Sequence, residues 1–508
     1  MSLLKKNIFF NTLSSFWSAG MSLIFIPIYI HFMGVEAYGL IGVFLTTQVM
    51  FSLLDMGIST TLNREMARLS AYPDKAQEMQ DLLRTLEFIY WGIAFLVMIA
   101  VFVCAPLISY KWVHGEQLSP AVINQAVMIM GSAIAFQLLT GFYSGGLLGL
   151  QEQVLLSGVN IFISTLRGAG VIIILWLVSP TIQAFFIWQL FTNFLQALLL
   201  FLLLWHRIPA NNSSPTFRIS VLKRIWHFAA GISGITVTGL ILSQIDKVIL
   251  SKMLPLELFG YYVLASTVAM SIYRVTGPVF SALYPRFTQL AALNDQDRLT
   301  LLYHQAAQLI SVLILPICMI VFFFSKEILF LWKQNPATVE HTYKLLRILI
   351  IGTGLNGLMY VPYALLLAYG WTKLGFYQNL ISIIILVPLI FYLTSLYGVT
   401  GAAFVGVILN SFYVLVGIHL IHHRFLIGEQ WLWYTQDIGR PLIASIGIAL
   451  IGKLFLNVSL PRLQIFIYLF ILFSASVFMS IVASSQLKVI IFRNLKLINF
   501  NATFTKSK

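Results

Sequence analysis

The stretch TIQAFFIWQLFTNFLQALLLFLLLW, residues 181–205, carries no charged residue and is long enough to cross a membrane. A helix rises about 1.5 Å per residue and bilayer hydrocarbon is about 30 Å thick, so about 20 apolar residues make one crossing. Runs of this kind recur at roughly 8–31, 38–60, 83–106, 121–150, 154–178, 181–205, 227–252, 259–284, 305–330, 343–369, 374–396, 400–422, 440–457 and 463–483. A soluble core of 508 residues has no use for fourteen of them. With 59% hydrophobic and 9% charged residues, the chain reads as an all-α polytopic membrane protein of about 14 transmembrane helices.

Charge placement orients it. The first run follows Lys5 and Lys6, has no small-residue cleavage pattern and is too long for a signal peptide, so it reads as a retained helix. With the N-terminus in the cytoplasm, twenty lysines and arginines fall in inner segments. Four fall in outer loops: Lys111, Lys252, Lys333 and Arg462. That is the positive-inside pattern, and it predicts two cytoplasmic termini. The net charge of +14 therefore points to topology and not to nucleic acid, for which there is no basic soluble domain. Cys104 and Cys318 lie in apolar runs and are expected to pack as small hydrophobes; no metal-ligand spacing or disulfide framework is present.

The outer loops are short, whereas the inner loops 61–82 and 206–226 are longer. The second contains Pro209-Ala-Asn-Asn-Ser-Ser-Pro215, which has linker composition. It predicts an N-terminal six-helix bundle over 1–208, a cytoplasmic linker over 209–226, a second six-helix bundle over 227–424, and two further helices with a basic tail over 425–508. Two landmarks support a repeat. Glu36-Ala-Tyr-Gly39 matches Glu257-Leu-Phe-Gly260, and Leu62-Asn-Arg64 matches Tyr284-Pro-Arg286, at offsets of 221 and 222 residues. Both repeats start on the inner side, so they are parallel, as in carriers whose two bundles enclose a central site.

The same residues carry a family likeness. Gly34-Val-Glu36-Ala-Tyr38-Gly39, then Leu54-Asp55-Met-Gly57-Ile-Ser59 and Asn63-Arg64-Glu65, resemble the N-terminal signature of polysaccharide-transport flippases. Gln244-Ile-Asp246-Lys247-Val-Ile-Leu, Glu257-x-Phe-Gly260-Tyr-Tyr-x-x-Ala265 and Tyr284-Pro285-Arg286 resemble the matching second-half pattern. The resemblance covers essentially the whole chain and is to the Wzx-type flippases of the multidrug/oligosaccharidyl-lipid/polysaccharide exporter (MOP) superfamily. It implies two pseudo-symmetric six-helix bundles in a V shape, as in MATE transporters, plus a C-terminal helix pair. It also implies movement of an undecaprenyl-pyrophosphate-linked oligosaccharide across a bacterial inner membrane, with membrane lipid and polysaccharide polymerase machinery as candidate partners.

Charge inside the bilayer costs about 2.5–3.5 kcal/mol per residue on insertion scales, so the few such groups are functional candidates. Arg167, Lys247 and Arg274 are suited to a pyrophosphate, because cations, and guanidinium forks in particular, grip phosphate oxygens. The alternative is internal pairing, for instance of Asp246 with Arg274. Asp246 is also the candidate for coupling to H+ or Na+, since burial can bring a carboxylate toward neutral pKa; no other cofactor is called for. Asp55 lies toward the inner end of its run. Gln189, Asn193 and Gln196 share one helix face, as do Asn356 and Tyr360, and these suit sugar hydroxyls or interhelical bonds equally. Gly352, Gly354, Gly357 and Pro362 predict a bend. The glycine-rich end of 121–150 suggests a tilt or kink there. Lys326, Glu327, Lys344 and Arg347 are expected to reach the interface.

A multidrug or ion antiporter of the same superfamily would share the fold, but two deep arginines favour an anionic cargo. A membrane polymerase or ligase would need a large outer loop, and the sequence has no nucleophile–base arrangement; a channel would need a filter. The chain therefore reads as a transporter and not an enzyme.

Overall fold

All fourteen apolar runs fall on helices, but not as fourteen separate ones. The computed structural model describes residues 3–55, 58–70, 72–209, 214–332, 335–456 and 461–489. Met56, Gly57, the linker centre 210–213, Lys333 and the basic tail from 490 lie outside the described residues. So do the side chains of Lys5, Lys6, Arg64, Lys223, Arg224, Pro285 and Lys373. The helices are α1 (Leu3–Phe51), α2 (Ile58–Leu69), α3 (Ala76–Leu107), α4 (Pro120–Gly149), α5 (Gln153–Leu177) and α6 (Ile182–Arg207). They continue with α7 (Ile219–Met253), α8 (Leu256–Met270), α9 (Tyr273–Ala292), α10 (Gln296–Phe323), α11 (Ser325–Trp332) and α12 (Pro336–Leu358). The last are α13 (Tyr360–Ala368), α14 (Thr372–Phe412), α15 (Ile418–Phe425), α16 (Gln430–Leu432), α17 (Arg440–Phe455) and α18 (Arg462–Ala483). Eleven helical stretches among the described residues are long and apolar enough to cross a membrane, so this is a multi-pass membrane protein.

Local chemistry sets the boundaries. Two runs join within α1 and are separated only by Gly34, whose φ of 85° is open to glycine; Gly398, at φ 58°, does the same in α14. Three other runs are each split in two. Between α12 and α13 the cause is Pro362, which has no N–H to offer the carbonyl of Leu358. There the Met359 amide turns back to the Asn356 carbonyl at 3.0 Å, so the expected bend is present. Side-chain caps start α4 at Ser119, α6 at Thr181 and α12 at Asn335, with proline at the first position of α4 and α12.

The chain divides into two compact units, 1–260 with 379–383, and 261–378 with 384–508. In the first, α4 packs against α2, α3 and α6, and α1 packs along α5. Leu62, Met66, Leu86, Tyr90, Phe142, Tyr143, Leu200 and Leu204 fill its core. The glycines of α4 serve packing and not the expected kink, for α4 runs unbroken. A Cβ on Gly145 or Gly149 would sit 2.6 Å from the Ser59 carbonyl oxygen or 2.4 Å from that of Asn63, so glycine lets α2 lie against α4. Helix α7, read from the sequence as the head of the second repeat, packs within this unit against α1, α2 and α3. The described ends of the linker are strapped to α3. Thr216 N and Oγ1 donate to the buried Asp81 carboxylate (2.8 and 3.1 Å), Arg218 pairs with it at 2.8 Å, and Gln80 Nε2 donates to the Pro209 carbonyl at 2.8 Å.

In the second unit α10 is central, packed against α9, α12, α17 and α18. A buried polar knot ties its N-terminal half. His304 Nδ1 lies 2.5 Å from Asp437 Oδ2, and Gln308 Nε2 donates to Asp437 Oδ1 and Ser485 Oγ, both at 2.9 Å. Cys318 is buried as expected, whereas Cys104 is exposed on the outer surface of α3.

Candidate functional site

Arg167 projects from the middle of α5 toward α6. One of its terminal nitrogens donates to Asn193 Oδ1 at 2.6 Å and Gln196 Oε1 at 3.0 Å. The amides continue the chain: Gln196 Nε2 donates to Asn160 Oδ1 at 3.1 Å and Asn193 Nδ2 to the Ala133 carbonyl at 3.2 Å. The sequence spacing that put Asn193 and Gln196 on one face thus delivers both to one guanidinium. Asn160, two turns before Arg167 on α5, was not singled out. Arg167 Nε is buried with no hydrogen-bond partner among the described residues. An unmet buried donor costs about 1–3 kcal/mol, which an anionic oxygen would relieve. Gln189 is buried one turn earlier on α6. On α7, Lys247 is 8% exposed and its Nζ lies 3.5 Å from Gln244 Oε1; its neighbour Asp246 is partly buried.

Other carboxylates of this unit are tied into structure. Asp55 accepts from Ser59 and from the Tyr90 hydroxyl. Glu87, a buried acid that the sequence reading passed over, accepts from Tyr143 Oη at 2.9 Å, Trp205 Nε1 at 3.3 Å and Arg84 at 3.0 Å. Glu36, the repeat landmark, accepts from the amides of Gln117 and Leu118 at 2.8 and 2.9 Å and so fixes the loop between α3 and α4. The landmark glycines meet each other. A Cβ on Gly39 would lie 2.3 Å from the Leu256 carbonyl oxygen and 3.2 Å from Gly260 N. One on Gly260 would lie 2.5 Å from the Val35 carbonyl oxygen and 3.2 Å from Gly39 N. Val35 and Leu256 are again 221 residues apart, so the contact is reciprocal, as between copies of one surface.

In the second unit Arg274 stands in the first turn of α9, just after the α8–α9 break. It is exposed, and its guanidinium makes no hydrogen bond or ion pair among the described residues. Beside it runs an aromatic strip. Tyr273 stacks with Tyr360 at 6.0 Å, and Phe280 meets Tyr360 edge-on at 6.1 Å and stacks with Tyr284 and Tyr363 at 6.1 and 6.0 Å. Only Tyr360 of these was expected. Positions 273, 280 and 284 share a face of α9, a spacing that was available in the sequence. Asn356 lies on α12 and Tyr360 opens α13, on opposite sides of the break. Asn356 Nδ2 donates to Asn410 Oδ1 of α14 at 2.8 Å.

The interfacial group behaves unevenly. Lys326 pairs with Glu340 at 2.8 Å in the open, and Lys344 and Arg347 gather with Lys326 around the Tyr343 ring. Glu327 does not reach out as expected but turns in to Lys453 of α17 at 2.6 Å.

Comparison with known proteins agrees with this architecture. The family model described as polysaccharide biosynthesis protein matches residues 4–291, and the MatE model matches residues 233–392. A putative O-antigen transporter of Shigella flexneri is 20% identical over 372 residues, covering 73% of this chain and 86% of the relative. Lipid II flippase MurJ in an inward closed conformation superposes with TM-score 0.67 at 15% identity, covering 97% of this chain and all of that one. An inward-facing multidrug-resistance MATE transporter of the MOP superfamily superposes with TM-score 0.63 at 12% identity, covering 82% of this chain and 94% of that one. The chain carries the fold these transporters share, and it belongs to the polysaccharide biosynthesis protein family.

Proposed function

We propose that this protein flips an undecaprenyl-pyrophosphate-linked oligosaccharide from the cytoplasmic to the outer leaflet of a bacterial inner membrane, by alternating access. The observation that carries the reading is Arg167: a guanidinium buried in an apolar bundle, held by amides, with an N–H left over. Keeping such a group in the bilayer is costly and suits a cargo bearing negative charge. Arg274, exposed beside a strip of rings, suits the same cargo differently, since aromatic faces pack on the apolar faces of sugars while a cation holds phosphate. Membership of a polysaccharide biosynthesis family and the likeness to an O-antigen transporter and to a lipid II flippase support this class of substrate. Lys247, Gln189 and Asn193 would line the path, with Asp246 as the ion-coupling carboxylate, and the protein would act as a carrier with no covalent step. Polymerase machinery would receive the product.

The test is surface-polysaccharide display normalised to protein level. Arg167→Ala and Arg274→Ala should insert and yet export poorly. Full display from both at normal abundance would end the reading. Reporter fusions test the orientation: residues near 72, 212 and 430 should report cytoplasmic, and those near 114 and 335 outside.

The MatE match and the MATE-like fold favour a second reading, a multidrug or ion antiporter. It predicts that the same arginine variants leave polysaccharide untouched while altering resistance to cationic drugs.

A further inference from the structure

A recess of about 580 Å³ opens in the second unit, lined by Trp371, His419, Leu420, His423 and Arg424. Four residues separate the two histidines on α15, so they share one face, and their ring centroids lie 6.0 Å apart. The Arg424 guanidinium lies over the Trp371 ring at 4.3 Å and near the Phe425 ring at 5.7 Å. Stacking occupies the face of a guanidinium and leaves its N–H edge for oxygen acceptors. The platform under it is fixed. Phe425 stacks on Tyr369 at 4.2 Å, the Tyr369 hydroxyl donates to Gln296 Oε1 at 3.0 Å, and Gln296 Nε2 donates to the Phe425 carbonyl at 2.6 Å.

The recess carries basic groups and no acid among its lining residues. Arg424 makes no ion pair among the described residues. The acid that follows in the chain, Glu429, is turned toward His304 Nε2 at 3.3 Å. His419 Nδ1 meets Gln430 Oε1 at 3.2 Å, and each imidazole carries at least one N–H in any protonation state. Exposed apolar residues follow Arg424 in the chain and flank Gln430: Ile427 is 83% exposed and Trp431 73%, with Leu432 also exposed. Tryptophan beside basic residues marks the depth of lipid headgroups. Among transmembrane helices, basic pockets on the cytoplasmic side take anionic headgroups.

We infer that this recess binds the phosphate of an anionic bilayer lipid, with Arg424, His419 and His423 as donors and the exposed Ile427 and Trp431 against the acyl chains. The site does not depend on which cargo is carried; its placement in the cytoplasmic leaflet rests on the orientation proposed above. The full-length protein in detergent would be titrated with phosphatidylglycerol and with phosphatidylcholine, and bound lipid counted by native mass spectrometry. The wild type should prefer phosphatidylglycerol. Arg424→Gln should reduce that preference roughly fivefold, His423→Gln with Arg424→Gln should nearly abolish it, and Arg424→Lys should retain most of it. Thermal melting would confirm that each variant is folded. An unchanged preference in the double variant overturns the inference. Displacement of phosphatidylglycerol by millimolar inorganic phosphate would also overturn it, by making this a site for small anions. Polysaccharide display from the Arg167 variants is read separately, so failure here and failure of the transport reading are distinguishable.

Discussion

Arg167 and Arg274 are the same residue in two surroundings. Arg167 is enclosed by Asn193 and Gln196, at 2.6 and 3.0 Å, with its Nε buried and unmet among the described residues. Arg274 is exposed at a helix break, without a partner among the described residues, beside a run of rings. The enclosed arginine is held in place before any ligand arrives, so its contribution lies in direction. The exposed one can follow a ligand, and the rings give that ligand a surface to rest on. Preorganised donors lose less on binding than mobile ones, so the two should respond differently to the same substitution.

The largest effect is expected at Arg167. Loss of a charge-assisted contact costs about 1.5–3 kcal/mol, so Arg167→Ala should reduce export per molecule by roughly ten- to a hundredfold. It should also lower abundance, because Asn193 and Gln196 lose their partner. Arg167→Lys should recover abundance more than export. If export and abundance fall in step, the residue is only structural and the contrast with Arg274 disappears.

Arg274→Ala should reduce export by about tenfold at unchanged melting temperature, for it has no internal partner to abandon. A clear drop in melting temperature would make it an enclosed residue after all.

The aromatic strip comes next. Ring pairs contribute about 0.5–1.5 kcal/mol beyond burial, so Phe280→Leu or Tyr360→Leu should each lower export several-fold, while Tyr360→Phe should be close to wild type. A strong loss from Tyr360→Phe would move the emphasis from the ring to the hydroxyl.

The smallest effect is expected where the two amides of the second unit meet. Interhelical hydrogen bonds in membranes average about 0.6 kcal/mol, so Asn356→Ala and Asn410→Ala should couple by less than 1 kcal/mol in a double-mutant cycle of thermal stability. Coupling well above that would make this amide pair a clamp comparable to the amides around Arg167.

Much of this was legible in the chain. The apolar runs all fall on helices, although α2 and α16 lie largely outside them; Pro362 announced a break that occurs, and Arg167 stood out as a charge in the middle of a run. Helix spacing put Asn193 and Gln196 on one face, and only the structure makes them the neighbours of Arg167. What could not be read was which helix faces which. Tyr273, Phe280 and Tyr284 become a strip only because α13 brings Tyr360 and Tyr363 across to α9. Asn356 and Tyr360 fall on two helices and not one, and Asn356 bonds to Asn410. Glu87 and Asp437 were missed for a different reason. Glu87 lies near the start of its run and Asp437 just before one, positions where an acid reads as facing solvent, and only the packing of their helices buries them.

The meeting of Gly39 and Gly260 carries a consequence for how such a chain tolerates change. Val35 faces Gly260 as Leu256 faces Gly39, so one chain holds within itself what two identical subunits would form at a shared seam. In a true pair of subunits any alteration of that seam strikes twice, once from each side. Here the two sides are inherited separately. A methyl group added at Gly39 alone meets a neighbour still shaped for glycine, and a relaxing substitution at the opposite position can answer it. The single chain can therefore drift away from symmetry by one compensated step at a time, which a symmetric pair of subunits cannot do.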